Sequence, residues 1–268
     1  MTGMNGAERA LVTGCSTGIG RATAAELARR GYSVIATARH VDALEGLDVA
    51  EKLPLDVTDD ESVAKVAAQV GDVDVLVNNA GMSVWGPIET VPVEKGRLIL
   101  ETNVLGVIRV TQAFLPGMRE RGRGAVVNMS SAAGRTGGSP ILGWYAASKH
   151  ALEVLTEALR FEVGQFGVRV ILVEPGAIES NFPQNRQVVG LENPPYDVLG
   201  ERFMANVNRN RGTTYPAADV ATVVAEALAA ESPRLRWYGS PDAEPLITAR
   251  RSATDEEVEE RMRRTLAG

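Results

Sequence analysis

The chain has 268 residues, 44% of them hydrophobic and 23% charged, with a formal net charge of −6. That composition belongs to a folded globular protein and excludes a disordered, collagenous or coiled-coil chain, and the acidic balance argues against a nucleic-acid binder built on a basic face. One cysteine, Cys15, and two histidines, His40 and His150, leave no disulfide within the chain and no structural zinc set.

Short apolar runs alternate with helical patterns along the whole length. Residues 10–13 form a compact strand candidate ending at a glycine, and 20–30 follow as a helix stopped by Gly31. A second strand is expected at 33–38. Thr58 and Glu61 read as a capping box opening a helix whose stripe is Val63, Val66, Ala67 and Val70. Strand 73–77, a long apolar helix at 94–118 and strand 125–129 come next, then a long helix at 145–166 and strand 168–173. Residues 176–212 contain three prolines and no convincing strand, the pattern of a binding loop or lid. A helix at 217–230, a weaker strand at 234–238 and a densely charged surface helix at 250–264 complete the chain. The strands are apolar throughout, as expected when both faces of a parallel sheet are covered. The fold class is therefore α/β, a doubly wound parallel sheet with helices on both faces. It is expected to be one domain over 1–268, with 1–8 a flexible N-terminus. No run of about 18 apolar residues occurs, so no membrane span is expected. No signal pattern is read at 1–9, and a cytoplasmic protein is the expectation.

Gly14, Gly18 and Gly20 lie between the first strand and first helix in the segment Thr13-Gly14-Cys15-Ser16-Thr17-Gly18-Ile19-Gly20. Glycines there permit a tight turn whose N–H groups, with the helix N-terminus behind them, can cradle a phosphate. The same residues match G-x-S-x-G, the nucleophile elbow of hydrolases. A hydrolase would need a late histidine, and only His150, inside a helical pattern, follows a suitable acid.

Further motifs favour the first reading. T-G-x-x-x-G-x-G is followed in order by Asn78-Asn79-Ala80-Gly81, Asn103 in the long middle helix, Ser130-Ser131 after a strand, Tyr145-x-x-x-Lys149, and Glu174-Pro175-Gly176-Ala177-Ile178. Over residues 8–180 this set resembles the short-chain dehydrogenase/reductase family and its NADP-preferring carbonyl and hydroxysteroid reductases, with the Rossmann-type fold that the resemblance implies. Ser131 precedes Tyr145 by 14 positions, one more than usual in the family.

Tyr145 and Lys149 are four apart and share a helix face. A phenol titrates near 10, and a nearby ammonium, with the cationic oxidised nicotinamide, is expected to lower it toward neutrality. By resemblance, Tyr145 is the general acid/base, Ser131 orients the substrate oxygen, and Asn103 holds a water linking Lys149 to solvent. The nucleotide site implied comprises Gly14, Ser16, Thr17, Gly18, Ile19, Gly20, Arg39, Asp56, Val57, Asn79, Ala80, Gly81, Tyr145, Lys149, Pro175, Gly176, Ile178 and Ser180. The second strand ends in Arg39 rather than an acid, which favours a 2′-phosphate and hence NADP(H) over NAD(H). Asp42 is the counterargument, placed three residues later, and no metal is expected. His40 either assists Arg39 or is a plain surface residue. Trp85, Leu142, Trp144 and Phe182 either line an apolar pocket or merely pack. The expected function is interconversion of an apolar or ring-containing ketone and its alcohol, in a homodimer or homotetramer associated through the helices 94–118 and 145–166. The rival is a non-catalytic NADP(H) sensor on the same fold, set against by the tyrosine–lysine pair.

Overall fold

The computed structural model describes residues 7–179, 186–209 and 214–267. Nine strands and nine α-helices are found among them: β1 (Arg9–Val12), α1 (Gly18–Arg29), β2 (Ser33–Ala38), β3 (Glu51–Pro54), α2 (Asp60–Val70), β4 (Val75–Asn78), β5 (Ser83–Trp85), α3 (Val93–Leu100), α4 (Gly106–Glu120), β6 (Gly124–Met129), α5 (Gly143–Gly164), β7 (Val168–Glu174), β8 (Arg186–Val188), α6 (Asp197–Arg209), α7 (Ala217–Ala229), β9 (Arg236–Tyr238), α8 (Ala243–Arg251) and α9 (Asp255–Ala267). Seven strands form one parallel sheet in the order β3-β2-β1-β4-β6-β7-β9. The order reverses between β1 and β4, so a crevice opens there at the carboxyl ends of the strands.

Alternation along each strand sends side chains to two separate cores. Ala10, Val12, Val34, Ala36, Val75, Val77 and Val127 pack on the side of α1 and α7. Leu11, Ile35, Leu76, Val126 and Val170 pack on the opposite side with Val63, Val66, Val110 and Phe114. Both faces are apolar, which is why each run reads as continuous.

One polar ladder crosses the second core. Asn78 Nδ2 donates to Thr111 Oγ1 at 3.0 Å and to Asn128 Oδ1 at 2.9 Å, and Asn128 Nδ2 donates to Thr156 Oγ1 at 2.9 Å. Asn78 and Asn128 are register partners in β4 and β6. The ladder thus ties two strands to α4 and α5, the helices on that side of the sheet.

Several expectations need correction. The N-cap of α2 is Asp59, which accepts from Glu61 N, while Thr58 donates its N–H and hydroxyl to Asp56. A carboxylate outcompetes the hydroxyl as acceptor for the free N–H groups. The segment 250–264 is not one helix: α8 ends at Arg251 and a reciprocal Thr254–Glu257 cap opens α9. Within 176–212, β8 pairs in parallel with β5, and α6 follows it. The helix expected over 94–118 is longer and carries a π turn at Glu101–Leu105 between α3 and α4. The run Val93–Glu120 is long and apolar enough to cross a membrane by length and composition. Its Val107, Val110, Phe114 and Met118 are nonetheless buried in this fold.

Candidate active site

The turn after β1 is shaped by contacts that only glycine permits. Gly14 has φ +73° and Gly18 φ +57°, in the left-handed region. A Cβ on Gly14 would lie 2.7 Å from Ala80 Cα, and one on Gly20 would lie 2.3 Å from Gly14 O. The turn is held from β4's end: Asn79 Nδ2 donates to Thr13 O and Gly14 O, and Asn79 N and Ala80 N both donate to Thr13 Oγ1. Asn79 therefore binds the turn itself.

Thr17 is the N-cap of α1 but makes no side-chain cap bond, so the first N–H groups of the helix stay available for an anion. Ser16, Thr17 and Ile19 are half-buried along this turn. Arg39 follows the end of β2 beside it, exposed. Asp42 sits beyond, in a short 3₁₀ turn over Val41–Leu44. Asp56 and Val57 lie past β3. Arg109 Nη1 donates to Val57 O at 2.8 Å, and a Cβ on Gly106 would meet Val57 Cγ2 at 2.8 Å. These residues fit a dinucleotide: a Cβ-free phosphate turn, an uncapped helix N-terminus and a cation at the ribose end. Cys15 is buried, its thiol pushed up to about 12 by burial, which makes it a packing residue.

The catalytic candidates converge from three elements. Tyr145 and Lys149 lie in the first turns of α5 on one face, with Lys149 Nζ 5.9 Å from the Tyr145 ring centroid. Lys149 is 6% exposed and donates from Nζ to Met129 O at 2.7 Å. Burial lowers its ammonium to about 8, against the opposing attraction of Glu153. Ser131 ends the β6 loop, where its Oγ accepts from Ala133 N at 3.1 Å.

The lowering expected for Tyr145 depends on the oxidised nicotinamide as well as on Lys149; in the chain itself the phenol lies higher. Burial pushes Tyr145 above its ordinary range, and hydrogen bonding to the Ser131 hydroxyl offsets this only in part. Desolvation disfavours the charged phenolate and is the larger of the two effects.

Asn103 lies in the π turn, fully buried. Such turns interrupt a helix at functional places. Its Oδ1 accepts from Met82 N at 2.9 Å, and its Nδ2 donates to Met82 O at 2.9 Å and Ser148 Oγ at 3.0 Å. The side chain thus clamps the strand after Gly81 to α5, so any water it manages must be met through its backbone.

The last expected segment is pinned by residues the sequence reading missed. Gly176 N donates to Ser240 Oγ at 2.8 Å, Ala177 N donates to Asp242 Oδ2 at 2.8 Å, and Ser240 Oγ donates to Asp242 Oδ1 at 2.5 Å. A Cβ on Gly176 would lie 2.3 Å from that carboxylate, which explains the glycine. Pro175 O accepts from Ala132 N, and Ile178 bridges Tyr215. Ser148 was also missed; it sits inside the tyrosine–lysine motif and joins Asn103 to α5. Trp144 packs against Gly96, and Trp85 and Leu142 pack with Ile141, Leu191 and Phe203. Ser180 and Phe182 lie outside the described residues. A cleft of about 1370 Å³ runs from Gly18 and Arg21 along α1 to Leu47 and Ala217, beside the glycine turn rather than at Tyr145.

A doubly wound sheet with a phosphate turn at its switch point, and a serine, tyrosine and lysine gathered near it, defines a nucleotide-dependent oxidoreductase. Residues 8–188 match the short chain dehydrogenase family, and the chain belongs to it. It is 38% identical over 232 residues to an uncharacterized oxidoreductase, YusZ, of Bacillus subtilis, covering 80% of this chain and 82% of that one. It is 36% identical to human 17-beta-hydroxysteroid dehydrogenase type 1, covering 90% of this chain and 80% of the relative. The crystal structure of a short-chain dehydrogenase from Streptomyces avermitilis superposes with a TM-score of 0.85 at 39% identity, covering 97% of each chain. Solved proteins of this fold are complexed with NADP in some cases and NAD in others. The chain is accordingly an oxidoreductase of this family, acting on CH–OH-type substrates.

Proposed function

We propose that the protein interconverts a ketone or aldehyde and the corresponding alcohol with NADP(H), using Tyr145 as general acid/base. The observation that carries this is the face of α5 that bears half-buried Tyr145 and buried Lys149, with the Ser131 hydroxyl at the phenol and the glycine turn nearby. When bound, the nicotinamide supplies or accepts the hydride. Ser131 holds the substrate oxygen and Tyr145 Oη gives it a proton in reduction or takes one in oxidation. Lys149, fixed by Met129 O, supplies positive charge that favours the phenolate when the proton leaves. Asn103 keeps the Met82 strand against α5.

Arg39, at the end of β2 where an acid would repel a 2′-phosphate, supports NADP(H). An apolar or ring-containing substrate is supported by the apolar group of Trp85, Ile141, Leu142, Leu191 and Phe203 near the loop to Tyr145, and by the hydroxysteroid and retinol dehydrogenases among the relatives. A homo-oligomer is supported by exposed apolar side chains on the long helices, Leu98 and Leu105 on one and Val154 and Phe161 on α5. Tyr145→Phe tests the mechanism: turnover across a panel of cyclic and aryl ketones should vanish while NADPH still quenches protein fluorescence. Retained turnover would refute it.

A further inference from the structure

Behind Lys149 lies a second group of charges that the reaction as described leaves unused. Glu153, one turn beyond Lys149 on the same face of α5, is 3% exposed, and Glu174, at the end of β7, is 1% exposed. Two guanidiniums reach both carboxyls. Arg236 Nε lies 2.9 Å from Glu153 Oε2 and 3.4 Å from Glu174 Oε1. Arg135 Nη1 lies 3.3 Å from Glu174 Oε1 and 3.8 Å from Glu153 Oε2. Arg236 also pairs with Glu157 at 2.7 Å. Glu153 Oε1 is buried without a hydrogen-bond partner, and so is the hydroxyl of Ser130 on the neighbouring loop.

The charges around this point can be counted. Three carboxylates, Glu153, Glu157 and Glu174, face two guanidiniums, Arg135 and Arg236, and one ammonium, Lys149. The group is neutral in two ways: with Lys149 charged and both buried carboxyls ionised, or with Lys149 neutral and one proton on the carboxyl pair. Two carboxylates this close in a buried place resist ionising together. Burial and the neighbouring Glu153 accordingly raise Glu174 to about 7.

We propose that Glu153 and Glu174 are positioning residues, a proton-sharing carboxyl pair whose negative charge holds Lys149 as an ammonium. The consequence for turnover rests on the tyrosine–lysine reading above; the pair and its effect on Lys149 do not. As pH rises through neutrality the pair gives up its proton to solvent, and its added negative charge stabilises the ammonium over the range in which Lys149 would otherwise lose it. The pair and its arginines tie together three segments of the site. Glu153 leaves from α5, Arg135 from the loop between Ser131 and Tyr145, and Glu174 immediately precedes Pro175 and Gly176.

The experiment uses the full chain without nucleotide or substrate. Lys149 is one of four lysines, so its ¹³Cε resonance can be followed in lysine-labelled protein and assigned with Lys149→Met. Its titration midpoint should fall by about one unit in Glu153→Gln, the size of effect expected of a close counter-charge, and return in Glu153→Asp. An infrared pH titration of the wild type should show a carboxylic-acid C=O band that disappears around neutral pH and is missing in Glu174→Gln. An unmoved Lys149 midpoint in a folded Glu153→Gln, or no titrating carboxylic-acid band in the wild type, overturns the proposal. Should Glu153→Gln not fold, the infrared titration and Glu174→Gln decide it. Failure of the tyrosine mechanism would appear separately, as turnover retained by Tyr145→Phe.

Discussion

Lys149→Met separates the lysine's chemical use from its cost to the fold. Burial lowers the Lys149 ammonium from 10.5 to about 8. At pH 7 the folded state therefore carries a buried charge costing about 3 kcal/mol relative to the unfolded chain, at about 1.4 kcal/mol per unit. Methionine has similar length and removes that cost, but it leaves Met129 O without its 2.7 Å donor. An unsatisfied buried carbonyl costs about 1–3 kcal/mol, so the expected net gain is roughly 1 kcal/mol. A domain of this size responds by about 2–4 °C per kcal/mol, so the melting temperature at pH 7 should rise by a few degrees while turnover is lost. The sign depends on pH in a defined way. Between about 8 and 10.5 the unfolded lysine holds a proton that the folded one has lost, so wild-type stability rises with pH through that window. The variant lacks this term, so its advantage should be largest below pH 8 and be reversed near pH 10.5, where only the lost Met129 O donor still counts. Thermal or urea unfolding of both proteins at pH 7, 9 and 10 is the assay. A stability difference that does not change with pH would refute the reasoning, because the lysine would then not be buried as a charge.

Four other outcomes are expected. Arg39→Asp should raise the Kd for NADPH by about 10–100-fold, the worth of one charged hydrogen bond, while leaving NADH within a few-fold; fluorescence titration with both nucleotides is the check, and an unchanged ratio counts against the 2′-phosphate role. Gly14→Ala must place a side chain at φ +73° and 2.7 Å from Ala80 Cα, so nucleotide binding should be lost and the melting temperature lowered; full binding would show that the turn adapts. Asn128→Ala removes the middle of the ladder between Asn78 and Thr156 and should cost about 1–3 kcal/mol in urea unfolding, since two buried groups each lose one of two partners; no measurable loss would mean that the remaining partners suffice. Phe161→Asp charges a side chain 76% exposed on α5 and should reduce the mass seen by light scattering to that of the monomer; a wild type already monomeric would end the oligomer proposal.

What was legible in the sequence follows distance along the chain. The sheet could be read because its strands are apolar on both faces, and the reactive pair because Tyr145 and Lys149 are one helical turn apart. The glycine turn was legible for a similar reason: three glycines within seven residues have a steric cause that does not depend on the rest of the fold. β8 and α6 were obscured because β8 has only three residues and gains its partner, β5, about 100 positions earlier. Thr58 was misplaced by one residue because the neighbouring carboxylates of Asp56 and Asp59 each hydrogen-bond the chain more strongly than its hydroxyl.

Ser240 and Asp242 mark where local reasoning ends. They fasten Gly176 and Ala177 from 64 and 65 residues away, and nothing in a serine or an aspartate beside a proline announces such a partner. The same holds for the carboxyl pair. In the sequence Glu153 is one charge on a helix and Glu174 one residue at a strand end, each compatible with a solvated surface. Only the seventh strand of the sheet, β9, brings Arg236 between them, 83 residues after Glu153. The tyrosine and lysine could thus be found by spacing. The charges that set how long the lysine keeps its proton could be found only once the far edge of the sheet was in place.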